Sequence, residues 1–446
     1  MARRAKIPEV ISLRLKRVIW FLLLAVRSVA GAVGGDEFVA GADMSHLVFF
    51  EDRGIVYRDG GAPEDALIIL RRRGLNCVRL RLFTSSAQQA QANPYDSTNN
   101  LDYTLPLAVR VKNAGLQFML DFHYSDSWAD PGKQTKPAAW IDFSFAQLEQ
   151  QMYEYNSNVI AAFKAAGALP EYVQVGNEIT QGLLWPDGKV GGSSDTPAQW
   201  QKLGVLLKAA IRGIRDAAGA PTPRIVIHID RGGDWAGTQW FFDNLRQQQV
   251  EFDFIGESYY PWWHGSLDAL RHCLTNAAAR YGKPLMIAET AFPWDTNSAP
   301  IVGINPGPDG QVAFIVELAK IIRKVPEGRG LGIFWWGSEY QFIPGVGLAG
   351  FDTRSFFDRD GKALPAAGAL GQLTAPVKLT AGLTDAALIL QWPFSGAGLT
   401  LTTATNLAPA TVWLPAANAI QSTGAMFSAT LTARTNYSRF YRLELR

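Results

Sequence analysis

Eight short apolar runs, at 38–45, 77–83, 118–124, 172–178, 224–230, 252–260, 284–290 and 332–337, recur along the chain with helix-period segments between them. Strands separated by helices are returned to the same end of a sheet before they pair, so they lie parallel. Eight such β-then-α units read as a closed (β/α)8 TIM barrel, an α/β fold. An open doubly wound sheet alternates in the same way, but its dinucleotide-binding form carries a glycine-rich turn after the first strand, and none stands here. Helix signals support the alternation. Pro63-Glu64-Asp65 predicts a helix start with proline and acid in its first turn and Gly74 its end, and 196–219 carries apolar residues at three- and four-residue spacing.

Every run ends in polar or aromatic residues: Asp43 and Ser45, Arg81, His123, Asn177 and Glu178, His228 and Asp230, Tyr259 and Tyr260, Glu289, and Trp335 with Trp336. In a barrel these carboxyl ends converge on one face, where active sites form.

The flanks read differently. Basic residues through Arg17 precede an apolar stretch at 18–26 and the small residues Ser28-Val29-Ala30-Gly31-Ala32, which predicts an export signal over 1–32 and a secreted or periplasmic protein. The stretch is well short of the roughly 20 residues that span a bilayer, so no stable membrane anchor is expected. The barrel is expected over 36–372. From about Ala375 short β patterns at 387–392, 399–403 and 440–445 replace helix signals, predicting a small all-β sandwich-like module over 375–446. A carbohydrate-binding role and a spacer, stabilising or sorting role both fit that module.

Composition excludes some partners. Net charge is +2, with Lys and Arg scattered, so no nucleic-acid partner is expected. Fourteen Trp residues cluster beside Gly, Pro and acidic residues, as in a cleft that stacks flat rings, although core packing is the ordinary use of Trp. Cys77 and Cys273 are too few for a disulfide scaffold and read as buried thiols.

The sharpest constellation is Gly176-Asn177-Glu178 after the fourth run with Ala288-Glu289-Thr290 at the end of the seventh. Hydrolysis of a glycosidic bond needs one carboxylic acid to protonate the leaving oxygen and a carboxylate to attack the anomeric carbon. Two Glu at barrel strand ends meet that need, with Glu178 as acid/base and Glu289 as nucleophile. The competing reading pairs both with the barrel arginines Arg79 and Arg81. Strands four and seven suit carboxyls roughly 5 to 5.5 Å apart, hence retention of configuration. Asn177, beside the acid, is placed to bond the sugar 2-hydroxyl.

These residues resemble glycoside hydrolase family 53, the arabinogalactan endo-β-1,4-galactanases. The resemblance runs from about Gly41 to Gly337. It rests on Gly41-Ala42-Asp43-Met44-Ser45, Arg79-Leu80-Arg81, the block from Leu120 to Gln134, Val173-Gln174-Val175-Gly176-Asn177-Glu178-Ile179, Gly182-Leu183-Leu184-Trp185-Pro186, Ser258-Tyr259-Tyr260-Pro261 and Ala288-Glu289-Thr290-Ala291. It implies that Tyr260 bonds the nucleophile and that Arg81 keeps it ionised. His123, Trp128, Trp262, Trp263, His264 and Trp336 are candidate sugar contacts, by ring stacking or imidazole donation. The implied partner is β-1,4-galactan, acted on by a monomer without cofactor or metal. Departures are Phe83-Thr84 where the family has Trp-Asn, Glu257 at a usually apolar position, a short 293–298 segment with too few acids for calcium, and the altered end Trp335-Trp336-Gly337-Ser338-Glu339. They leave open the same chemistry on mannan or xylan, and a silent carbohydrate-binding protein.

Overall fold

The structure, a computed structural model, describes residues 37–445 except 298, 385–386, 394–395, 406–410, 417–419, 424–425 and 433–438. The predicted export signal lies outside the described residues. Eight strands close into one parallel barrel: β1 (Val39–Asp43), β2 (Cys77–Leu82), β3 (Gln117–Phe122), β4 (Tyr172–Val175), β5 (Arg224–Ile229), β6 (Phe254–Ser258), β7 (Leu285–Thr290) and β8 (Gly330–Trp335). Each pairs with its sequence neighbour and β8 returns to β1, with Ala42 opposite Trp335 and Val78. All eight expected runs are strands, and most end a few residues before the expected limit. Residues that turn into the active face leave the ladder.

Eight principal helices cover the barrel: α1 (Ala66–Arg72), α2 (Leu101–Asn113), α3 (Phe145–Ala165), α4 (Pro197–Ala218), α5 (Trp235–Gln247), α6 (Leu267–Tyr281), α7 (Pro308–Arg323) and α8 (Pro365–Gly371). The local chemistry explains their limits. Asp65 caps α1 by accepting from the Leu67 amide, so Pro63 and Glu64 fall outside the helix rather than in its first turn. Thr196 caps α4, Pro197 follows at the first helical position, and Gly219 ends it. Trp200, Leu203, Leu207, Ile211 and Ile214 form the buried stripe of α4, the spacing that turns one helical face to the barrel.

Beyond α8 the chain forms two antiparallel sheets. One has the order Thr380–Leu383, Ala387–Pro393, Met426–Thr432, Ile420–Thr423, and the other the order Leu414–Pro415, Leu399–Ala404, Phe440–Leu445. Their apolar interior includes Leu390, Trp392, Leu401 and Ala429. Gly398, at φ +83°, passes so close to α7 that an added Cβ would lie 3.3 Å from the Lys320 carbonyl oxygen. Cys77 and Cys273 are both buried free thiols.

Candidate active site

At the carboxyl ends of the strands lies a cleft of about 550 Å³ lined by both glutamates. Its floor is organised by Arg79, a fully buried residue of β2. The guanidinium meets Asp43 Oδ2 at 3.0 Å, Asp121 Oδ2 at 2.8 Å and Glu289 Oε1 at 2.9 Å, and also donates to Gln174 Oε1 and Asn177 Oδ1. Three carboxylates around one arginine can be buried only because the cation offsets much of their mutual repulsion. Burial alone would raise the Asp121 carboxyl, but Arg79 and then His123 pull it below its ordinary value.

Glu289 ends β7 with both oxygens occupied: Arg79 on Oε1, and Tyr260 Oη donating to Oε2 at 2.8 Å. Burial pushes its carboxyl up, and Arg79 and Tyr260 oppose that rise. The resemblance assigns Arg81 the task of holding Glu289 ionised, and the structure corrects this: the cation at Glu289 is Arg79. Both arginines share one strand face, but Arg81 is turned towards β1. There its Nη2 meets His46 Nδ1 at 2.7 Å and its Nη1 lies 3.4 Å from Asp43, with its plane 4.2 Å from the Trp128 ring centre.

Glu178 is held differently. Gly176 (φ +90°) lets the chain leave β4, and Glu178 itself sits in the left-handed region at φ 48°, ψ 50°. For a non-glycine residue that conformation costs roughly 1–3 kcal/mol, a strain that clusters at functional sites. Ser258 Oγ donates to Glu178 Oε1 at 2.6 Å, and His228 Nε2 lies 2.9 Å from the same serine. The Glu178 amide donates to His228 Nδ1 at 3.4 Å, and Gln174 Nε2 lies 3.0 Å from the same nitrogen, so Nδ1 accepts and Nε2 carries the hydrogen that Ser258 receives. Burial keeps His228 neutral, with the charge of Arg79 adding to the effect. Burial, then the charges of Glu289 and Asp230, push the Glu178 carboxyl well above the usual range. Of the two, Glu178 is the one that keeps a proton: a neutral serine supports it, whereas a cation supports Glu289.

The remaining predicted residues divide. Arg81, His123, Trp128, Asn177, Tyr260, Trp263, His264 and Trp336 line the cleft. Trp262 does not; it packs on Tyr260 and Phe351 with the Arg354 guanidinium 4.2 Å over its ring. His123 lines the cleft but has no ring nitrogen left for a sugar, since Nε2 bonds Asp121 at 3.0 Å and Nδ1 accepts from the Ala129 amide at 3.0 Å. His264 Nδ1 accepts from the Tyr260 amide, which leaves the proton on Nε2, and burial lowers its pKa to about 4. Asn177 Nδ2 donates to the Ala129 carbonyl and its Oδ1 accepts from Arg79.

Sequence reasoning missed several participants. Arg231, Asp130 and Phe351 also line the cleft, as does Asp230, whose place at a strand end on this face is the expected one. Ser258 belongs to the Ser258-Tyr259-Tyr260-Pro261 motif, and a small polar residue at a strand end is the signal that marks it. Glu339 lies behind the cleft: its Oε1 accepts from the His46 amide at 2.7 Å, its Oε2 is buried without a partner among the described residues, and burial followed by the charge of Asp43 raises its pKa to about 8.

Comparison with known proteins gives concordant matches. The family described as glycosyl hydrolase family 53 matches residues 39–370. An uncharacterized protein of Niallia circulans is 41% identical over 69% of this chain and 85% of its own length. An arabinogalactan endo-beta-1,4-galactanase of Thermothelomyces thermophilus is 34% identical over 73% of this chain and 96% of its own. Among solved structures, the Ignisphaera aggregans GH53 catalytic domain superposes with a TM-score of 0.69 at 32% identity, covering 79% of this chain and 99% of that one.

Proposed function

The chain belongs to glycosyl hydrolase family 53, and from that premise we propose that it is an endo-β-1,4-galactanase that hydrolyses galactan with retention of configuration. The observation that carries the mechanism is the unequal support of two carboxyls in one cleft: Arg79 and Tyr260 on Glu289, and a neutral hydroxyl, Ser258, on Glu178. An ionised nucleophile and a protonated acid are the pair that a double displacement needs.

In the first step Glu289 attacks the anomeric carbon while Glu178 gives its proton to the departing glycosidic oxygen. Ester formation removes the charge of Glu289, which is one of the two charges that raise the Glu178 carboxyl. Glu178 is then a better base, and it takes the proton from the water that opens the glycosyl-enzyme. Tyr260 and Arg79 receive the carboxylate that returns. On the walls, Trp128, Trp263 and Trp336 offer ring faces to sugars.

Product analysis on a panel of polysaccharides tests the substrate. Galacto-oligosaccharides of several lengths from β-1,4-galactan are expected; cleavage of mannan or xylan with no product from galactan would overturn it. We also propose export to the periplasm or beyond, supported by the basic, apolar and small-residue order of 1–32. No described helix is long and apolar enough to cross a membrane. Amino-terminal sequencing of the protein recovered from outside the cytoplasm would show cleavage near Ala32; recovery only from the cytoplasm, with the segment intact, would reject it.

A further inference from the structure

Glu257 precedes Ser258 in β6, and successive strand residues face opposite sides. While Ser258 bonds Glu178 inside the barrel, the Glu257 carboxyl is buried outside it. Oε2 accepts from the Arg231 amide at 3.1 Å, and Oε1 lies 3.0 Å from Thr238 Oγ1 of α5. The Arg231 backbone is held on the far side of its Cα too, the carbonyl accepting from Thr238 Oγ1 at 3.3 Å, Cys273 Sγ of α6 at 3.5 Å and the Asp234 amide at 2.8 Å. One threonine proton cannot serve both the carbonyl and Oε1, so a protonated Glu257 that donates to Thr238 satisfies the set, and burial favours that form.

The gripped peptide carries cleft residues. Arg231 and the preceding Asp230 both line the cleft. Asp230 Oδ1 accepts from Thr180 Oγ1 at 2.5 Å, and Thr180 stands two residues after Glu178. We propose that Glu257 is a positioning residue for the acid/base: from behind the sheet it fixes the Arg231 peptide and so holds Asp230 against the loop that carries Glu178. The inference rests on the acid/base role of Glu178. The charged groups that bear on Glu178 are Glu289, Asp230 and Arg79; those that bear on Glu257 are Asp230 and Arg231, with Thr238 and Cys273 facing it from the helices.

The test compares the pH dependence of kcat/KM on galactan and the melting temperature for the wild type, E257Q, E257L and D230N. Glu257→Leu, which releases Asp230 from its place, and Asp230→Asn, which removes its charge, are expected to move the upper pH limb down by roughly half a unit or more, because Glu178 no longer has that negative charge held beside it. Glu257→Gln, whose neutral amide meets the same partners, retains the wild-type limb. An unmoved limb in E257L or D230N, whatever the melting temperature, overturns the proposal, and so does a limb that moves as far in E257Q as in E257L. If E257L does not fold, Thr238→Val takes its place with the same two outcomes. Glu178→Gln is assayed alongside: full activity there rejects the acid/base itself, whereas an inactive E178Q with an unmoved E257L limb rejects only the positioning role.

Discussion

Arg79 Nη2 stands 2.9 Å from Glu289 Oε1, and the same nitrogen stands 2.8 Å from Asp121 Oδ2. One buried cation therefore sets the charge of the nucleophile and holds a second carboxylate beneath it. Arg79→Met leaves Asp43, Asp121 and Glu289 without their shared partner. Removal of one member of a buried ionic network costs about 3–5 kcal/mol. The variant is expected to melt lower and to lose at least about a hundredfold in kcat, since an uncompensated Glu289 takes up a proton. A matched Arg81→Met is expected to affect KM more than kcat. Steady-state kinetics with thermal melts check both.

Ser258 gives Glu178 its hydrogen bond, and that bond lowers the proton affinity of the carboxyl. Ser258→Ala is therefore expected to shift the upper limb of kcat/KM to higher pH, the opposite sign from Asp230→Asn. A pH–rate profile of the two variants side by side checks the signs.

Glu339 has a folded-state pKa of about 8, raised from 4.5 by burial first and Asp43 second. A carboxyl whose folded pKa is raised stabilises the fold fully below its unfolded value, and that contribution is lost as pH rises through the folded value. Between about pH 4.5 and 8 the wild-type melting temperature is expected to fall more steeply than that of Glu339→Gln, which cannot ionise. Melting curves across that range measure the slope.

Trp263 is 64% exposed yet lines the cleft, which fits a ring held open for a sugar face. Trp263→Ala is expected to raise KM on galactan by roughly three- to tenfold, the scale of one aromatic contact, with kcat little changed. Trp262→Ala, set back from the cleft, is expected to lower stability instead.

Much of this is legible in the sequence. The eight strands announce themselves because each is a short apolar run closed by a polar end, and Glu178 and Glu289 stand out because each ends such a run. Other assignments depend on side-chain direction, which strand parity does not reveal. Arg79 and Arg81 share one face, and only the packing of His46 and Trp128 against Arg81 turns it away from Glu289. Trp262 and Trp263 are neighbours, and the turn at Tyr260 decides which ring meets the cleft. Glu257, at a position usually apolar in the family, is unexplained by the sequence because its partners, the Arg231 amide and Thr238, belong to a different β–α unit.

The most direct test of the paired glutamates follows the anomer first released from β-1,4-galactan by proton NMR, within the time before mutarotation scrambles it. Attack by Glu289 and then by water, each inverting the anomeric carbon, predicts β-galactosyl reducing ends at the earliest times, with the α-anomer growing in later. An initial excess of the α-anomer would mean a single displacement by water, and would contradict Glu289 as the nucleophile.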